Sequence, residues 1–514
     1  MRTRRSAILV MAALLAFLSG CSKYEGMATR YRVERMAWQA QREETRLRVG
    51  KAAPDSATLL RIRAEFARLR ATFRPPFIQG SGEDADRVRR DIARQVGTAE
   101  LTASRIALQA HRPELALESS RWVASIADAD TGLGREANMA TAMALQGLRR
   151  FDEAIATLRA MLDRYPPVPP PSPDREDQIL GVPDAIIQLR SEMDDSASVR
   201  KEQAFAVAYY RKVLDRHPPP FLEAQVRARL SRTLLEMGDA NAAFADVVEL
   251  RGLVSRTPGL KSLEPELMYT EARIRGMQKQ YKPALDLYAL VVKNFPSSPF
   301  AARALLDSGV ICERLNDRAG AIARYRAILD HAKPDPAIAA VAMFRLAMVK
   351  DLMGNWAEAK QALENIPAQF PKSRAAVEAP FAIVEHYTRA RQQDAAKAAL
   401  VKAVETYRSL IARDTNSVFC TVYRWNILRA YSALERWNDV LAAVDRMAEK
   451  DRGAPITAEA LFQGAQIARI VGNKSKSDIY LQRIVLEYPE TPRAMVVRKL
   501  LARNAGAAAN SKKK

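Results

Sequence analysis

Residues 339–371 read AAVAMFRLAMVKDLMGNWAEAKQALENIPAQFP. The stretch reads as two antiparallel helices. The first carries Met343, Leu346, Ala347 and Val349 on one side, and apolar residues at i, i+3, i+4 and i+7 mark an amphipathic helix. Gly354 and Asn355 interrupt the pattern, as a glycine just past a periodic run does at a helix C-terminus. Trp356 opens the second helix, Ala359, Leu363 and Ile366 share its inner face, and Pro371 closes it. Ala347 and Ala359 fall where the helices would cross, and only a small side chain lets the backbones approach. A leucine at Ala359 would overpack that crossing at a cost of roughly 1–3 kcal/mol.

The unit recurs. Phe151, Ala154, Leu158 and Pro166 keep the order aromatic, small, apolar, proline, and so do Tyr281, Ala284, Tyr288 and Pro296. Lys474, Ser477, Leu481 and Pro489 keep the spacing with a polar first residue. Weaker copies lie at Tyr210 to Pro218, Ala243 to Pro258, Ala321 to Pro334, Ala396 to Ala403 and Trp437 to Met447. The period is roughly 37–38 residues mid-chain, within the range of helical repeats. In this order and period the chain resembles the tetratricopeptide repeat (TPR) family from about residue 100 onward. The resemblance implies an all-α, TPR-like α-solenoid of stacked antiparallel helix pairs.

A chain of 514 residues is too long for one ordinary core, but in a solenoid each repeat buries its apolar face against its neighbours. Apolar residues make up 48% of it, which argues against disorder, and no alternating strand pattern occurs. The net charge of +21 is spread along the chain, mostly as arginine. It is either a solvated surface or an attraction to something anionic: phospholipid, acidic polysaccharide or an acidic partner. Export and the lack of a recognised motif argue against nucleic acid.

Met1 to Cys21 reads MRTRRSAILVMAALLAFLSGC, a basic segment, a short apolar segment and then Leu18-Ser19-Gly20-Cys21. This is a secretory signal rather than a spanning helix. Its end looks like a bacterial lipobox, which implies cleavage after Gly20 and lipidation of Cys21, palmitate among the acyl chains. Several acyl chains anchor a protein durably, each buried methylene adding about 0.8 kcal/mol. Ser22 lacks the aspartate that retains many lipoproteins at the inner membrane, so the expected address is the periplasmic face of the outer membrane. Cys312 and Cys420 lie nearly three repeats apart and are expected to be buried thiols rather than a disulfide.

These readings divide the chain into a signal peptide (1–20), tether and capping helices (21–80), first repeats (81–166), a proline-rich loop (167–183), a continuous solenoid (184–504) and a disordered basic tail (505–514). Tyr24 to Val49 and Ser56 to Thr72 are the capping helices, Gln79 to Asp84 a loop, and Asp184, after Pro183, stands close to a helix N-cap. Glu490 to Asn504 is expected to be the last helix. Several repeats end in Tyr/Phe-Pro followed by Ser or Thr, as at Phe295-Pro296-Ser297-Ser298-Pro299, Phe370-Pro371-Lys372-Ser373 and Tyr488-Pro489-Glu490-Thr491-Pro492. Pro299 and Pro492 suit the first helical turn, with Ser or Thr before them as N-caps. This loop is similar to that of periplasmic TPR lipoproteins of the β-barrel assembly type, although this chain is much longer and their specific partner does not carry over.

No enzymatic motif stands out. The four histidines, His111, His217, His331 and His386, have no second ligand at short spacing, and no metal or cofactor is expected. Glu118-Ser119 matches a Glu-Ser pair of lytic transglycosylases but sits inside a repeat-like helix. The candidate site is instead a groove. In register with the TPR pattern, one first-helix position holds Tyr269, Leu306, Phe344, Phe381, Trp425 and Phe462. Arg273, Arg314, Arg389, Arg429 and Arg469 lie one or two turns along the same helices. Aromatic anchors flanked by arginines for carboxylates could clasp a peptide or helix, while packing alone also explains an aromatic at that position. The expected function is a non-catalytic scaffold holding an envelope protein in assembly or secretion. The rival is an adaptor for peptidoglycan or an exported polysaccharide.

Overall fold

The computed structural model describes residues 83–110, 112–127, 132–164, 179–193, 196–330, 334–415, 419–489 and 491–511, together with Tyr31, Arg35, Trp38 and Arg42. The signal peptide with Gly20 and Cys21, both capping helices apart from those four residues, residues 79–82, the proline run 166–173, His111, His331 and the terminal lysines lie outside the described residues.

The described residues form two compact units that divide after Leu267. The first contains α1 (Glu83–Gln109), α2 (Pro113–Ile126), α3 (Gly132–Gly147), α4 (Phe151–Arg164), α5 (Val182–Glu192), α6 (Ser196–Leu214), α7 (Pro220–Glu236), α8 (Ala240–Arg256) and a short 3-10 helix (Pro258–Leu263). Helix α9 (Glu264–Met277) runs across the division. The second unit continues with α10 (Tyr281–Asn294), α11 (Pro299–Arg314), α12 (Arg318–Leu329), α13 (Pro336–Leu352), α14 (Trp356–Gln369) and α15 (Arg374–Arg389). It closes with α16 (Gln393–Arg413), α17 (Cys420–Ala433), α18 (Trp437–Lys450), α19 (Pro455–Ile470), α20 (Lys474–Glu487) and α21 (Pro492–Ser511). No strand occurs among the described residues. Each unit is a stack of helix pairs, as the solenoid reading requires.

Residues 339–371 form α13 and α14 as expected. Ala347, Ala359 and Ile366 are fully buried, Leu363 nearly so, and all four share one cluster with Ala340 and Ala376. Ala359→Leu is therefore expected to destabilise the chain by about 1–3 kcal/mol, read as a lower urea midpoint. An unchanged midpoint would show that the crossing has room.

The turn between the two helices of a repeat has one recurring geometry. Gly354 has φ +83°, in the left-handed region that costs glycine nothing. The Asn355 N–H then donates to the Lys350 carbonyl at 2.9 Å, closing the helix end. The same position and bond recur at Arg149, Gly238, Lys279, Asn316, Arg391, Glu435 and Gly472. Five of the eight are not glycine and carry a backbone cost of about 1–2 kcal/mol each, which the flanking helix packing overrides. The turn between repeats is also as expected: Ser298 and Ser373 accept from the Phe300 and Ala376 N–H groups, Thr491 accepts from Ala494, and Pro299 and Pro492 open helices.

Asp184 stands close to the N-cap as expected: Gly181 holds that position, and Asp184 lies in the first turn of α5 with its carboxylate turned to other helices. Two local readings change. Glu83 and Asp84 open α1 instead of closing a loop. Helix α21 starts at Pro492 and runs on to Ser511, because Ala505 and Ala507 to Ala509 are strong helix formers. Cys312 and Cys420 are buried free thiols, in agreement with the sequence.

Candidate functional site

The first helices of the second unit carry the proposed ladder. Tyr269 is buried: its ring lies 5.9 Å from Tyr288 and 5.4 Å from Phe300, and its hydroxyl donates to Asp307 Oδ2 at 2.8 Å. It is a packing residue, and an anchor for a partner would have to displace those contacts. Leu306, Phe344, Phe381, Trp425 and Phe462 are half-buried against the core. Half-exposed rings on consecutive first helices can serve both packing and contact.

Two sequence-singled residues from neighbouring repeats meet directly. The Arg429 guanidinium of α17 stands 4.6 Å above the Phe381 ring of α15. Arg273 stands 6.0 Å from the Tyr269 ring on its own helix. The Phe462 ring is covered by Arg493 at 4.2 Å, a residue the sequence reading did not select. Such cation–ring contacts contribute about 0.5–1 kcal/mol at exposed sites. The remaining arginines are not gathered on the rings. Arg389 donates to Asp351 Oδ2 at 2.7 Å, Arg469 donates to Ser477 Oγ at 3.2 Å, and Arg314 is exposed.

Arg389 belongs to a cluster that sequence reasoning missed. The Asp351 side chain is 6% exposed and lies near the C-terminus of α13, where a carboxylate opposes the helix dipole. His386 Nδ1 at 2.6 Å and Arg389 at 2.7 Å, both from α15, bind its two oxygens. The His386 ring stacks on Trp356, centroids 3.4 Å apart and planes 2° apart. The Trp356 indole N–H reaches the Tyr387 hydroxyl at 3.4 Å, and this bond, with Lys360 nearby, holds the Tyr387 phenol below its ordinary range. His386 has no ligand nearby in sequence because its neighbour is one repeat away. Searching at the repeat period would have paired it with Asp351.

A second pattern is the tyrosine buried four residues after the small residue of a second helix. Tyr210, Tyr325 and Tyr407 follow Ala206, Ala321 and Ala403, and Tyr288 follows Ala284; all are essentially inaccessible. Tyr210 bonds Asp184, which also takes Arg229 at 2.5 Å and Arg232 at 2.9 Å. Tyr325 donates to Glu313, which Arg345 approaches at 3.4 Å, and Tyr407 donates to the Val377 carbonyl at 2.6 Å. Tyr480, likewise buried, donates to Asp445 at 2.5 Å.

Burial is the largest cause that raises the phenol pKa of Tyr210, Tyr288, Tyr325, Tyr407 and Tyr480, and neighbouring carboxylates add to it except at Tyr407. A raised native pKa gives stability that is complete below the ordinary phenol value of about 10 and is lost as pH climbs above it. In an alkaline titration, tyrosinate absorbance from these residues is expected to rise together with loss of helical circular dichroism. Full ionisation before any loss of helix would refute the coupling.

The helix pairs with small residues at the crossing match the tetratricopeptide repeat family model at residues 136–167 and 341–373. These two segments carry tetratricopeptide repeats. The first match covers α3 and α4 with their turn, the second α13 and α14. Among solved structures, this chain is similar to yeast Tom70 (11% identity, 88% of this chain and 96% of that one, TM-score 0.38). It is similar to a tetratricopeptide repeat protein from Parabacteroides merdae (14% identity, 55% and 98%, TM-score 0.29). It is also similar to PilW, a type IV pilus biogenesis factor (16% identity, 53% and 97%, TM-score 0.28). No curated protein matches it. Glu118-Ser119 lies in the middle of α2, with Ser119 buried. Among the described residues no group of three or more His, Cys, Asp or Glu could hold a metal, and no helix is long and apolar enough to cross a membrane. TPR repeats suggest a scaffold for protein–protein interaction.

Proposed function

We propose that this TPR chain is a non-catalytic scaffold, anchored by lipid on Cys21 to the periplasmic face of the bacterial outer membrane, that holds a protein partner in envelope assembly or secretion. The observation that supports partner binding is the first-helix face of the second unit. Its first helices carry half-buried Phe344, Phe381, Trp425 and Phe462 together with exposed Arg389, Arg429 and Arg469, and Arg429 covers the Phe381 ring. Aromatic and arginine side chains are the residues that dominate protein interfaces. The anchor rests on Leu18-Ser19-Gly20-Cys21.

Crosslinking in intact cells, followed by recovery from solubilised membranes, is expected to yield a stoichiometric protein partner. Co-sedimentation with purified cell-wall sacculi instead would replace the protein partner by a glycan. Cys21→Ser is expected to abolish labelling by a metabolically supplied fatty acid. A mutant still labelled would refute the anchor.

A further inference from the structure

We propose that a cavity between α16, α17 and α18 receives one apolar side chain of an acidic peptide segment. The proposal deepens the scaffold reading by naming a second contact site on the second unit, away from the ladder rings.

The cavity has a volume of about 230 Å³. Its floor is aliphatic: Ile411 and Ala412 from α16, Ile427 from α17 and Ala443 from α18. Arg408, Arg424 and Arg446 complete the lining. Of the three, Arg424 is neutralised, its guanidinium held at 2.5 Å by the buried Asp451. Arg408 donates to the Tyr431 hydroxyl at 2.7 Å, which leaves its charge uncompensated. Arg446 is exposed, and neither it nor Arg408 is joined to a carboxylate among the described residues. Two unneutralised cations beside an apolar floor suit a ligand that is apolar at one point and anionic on either side.

The same molecule holds an internal control. The equivalent groove between α14, α15 and α16 is lined by Leu363, Pro367, Ile383 and Ala403, among others, but its volume is about 50 Å³. Lys402 on its wall is paired with Glu364 opposite at 2.9 Å. There the stack supplies its own carboxylate and closes the space. One repeat later the carboxylate is missing, the space is open and the basic charge remains. A leucine side chain has room in the larger cavity, and acidic neighbours on either side would face Arg408 and Arg446.

The test uses the full chain and a fluorescein-labelled, end-capped peptide, Glu-Glu-Leu-Glu-Glu, with Glu-Glu-Gly-Glu-Glu as the charge-matched control. Fluorescence anisotropy is expected to show the leucine peptide binding about tenfold more tightly, as burial of one aliphatic side chain implies. Arg446→Glu is expected to weaken it about tenfold and Arg446→Lys to restore most of the affinity, with the thermal midpoint unchanged because Arg446 is exposed. Equal binding of the two peptides, or an Arg446→Glu chain that binds as well as the parent, would overturn the proposal. So would displacement by sodium octanoate at concentrations where the peptide itself does not compete, since the occupant would then be an acyl chain. Failure here leaves the cellular crosslinking result untouched. Peptide binding without any crosslinked partner would keep the cavity assignment and remove the scaffold reading instead.

Discussion

Arg424→Met should destabilise the chain by about 3–5 kcal/mol, the usual consequence of removing one partner from a buried ion pair. Arg424 and Asp451 are 12% and 4% exposed and their charged atoms lie 2.5 Å apart. Asp451 follows α18, where the carboxylate faces the negative end of the helix dipole. Its Oδ1 also accepts from Thr421 at 2.8 Å, whereas Oδ2 has no partner among the described residues. Without Arg424 the buried carboxylate keeps one hydroxyl donor and loses its counter-charge. The double variant Arg424→Met with Asp451→Leu should regain most of the loss, because replacing both partners removes the desolvation cost along with the attraction. Urea unfolding followed by circular dichroism decides it. A single variant within about 1 kcal/mol of the parent would mean that water already screens this pair.

Gly309→Val should cost about 3 kcal/mol, at the upper end of overpacking effects. Gly309 sits inside α11, and a Cβ built there would run into one ring carbon of Tyr325 and lie 2.7 Å from another. The ring cannot step aside cheaply: Tyr325 is fully buried and its hydroxyl is held by Glu313. Gly309→Ala should show a smaller loss, since the methyl clash is partly offset by about 1 kcal/mol of better helix propensity. If alanine stabilised the protein, the two helices would have room to separate and the close approach would be incidental. Gly464, whose Cβ would meet Val444 and Tyr480 at about 3 Å, should behave similarly.

The candidate site was legible only in part. The aromatic positions were found because they recur at the repeat period; Phe344, Phe381, Trp425 and Phe462 are half-buried, whereas Tyr269 is buried. What each arginine does could not be read from its place on its own helix. Arg429 covers a ring on the preceding first helix, while Arg389 turns to a carboxylate on the preceding one. The outcome depends on whether the neighbouring repeat offers a ring or an acid at the facing position. Asp184 shows the same limit: its place close to a cap beside Pro183 was legible, but not that Tyr210, Arg229 and Arg232 bring three donors to it from helices 26 to 48 residues away. A local rule cannot see partners at that separation.

By itself, the sequence determined the helix pairs, their period, the small residues at the crossings and the serine and threonine caps. Each of these follows from contacts within a few turns of one chain segment, where apolar spacing, side-chain volume and backbone preference act directly. The tertiary structure alone decided which charges are paired, which turns hold arginine, lysine or glutamate in a left-handed conformation, and which groove between second helices stays open. Those features arise from atoms one or two repeats apart, and their energies depend on burial and facing partners that exist only once the repeats are stacked.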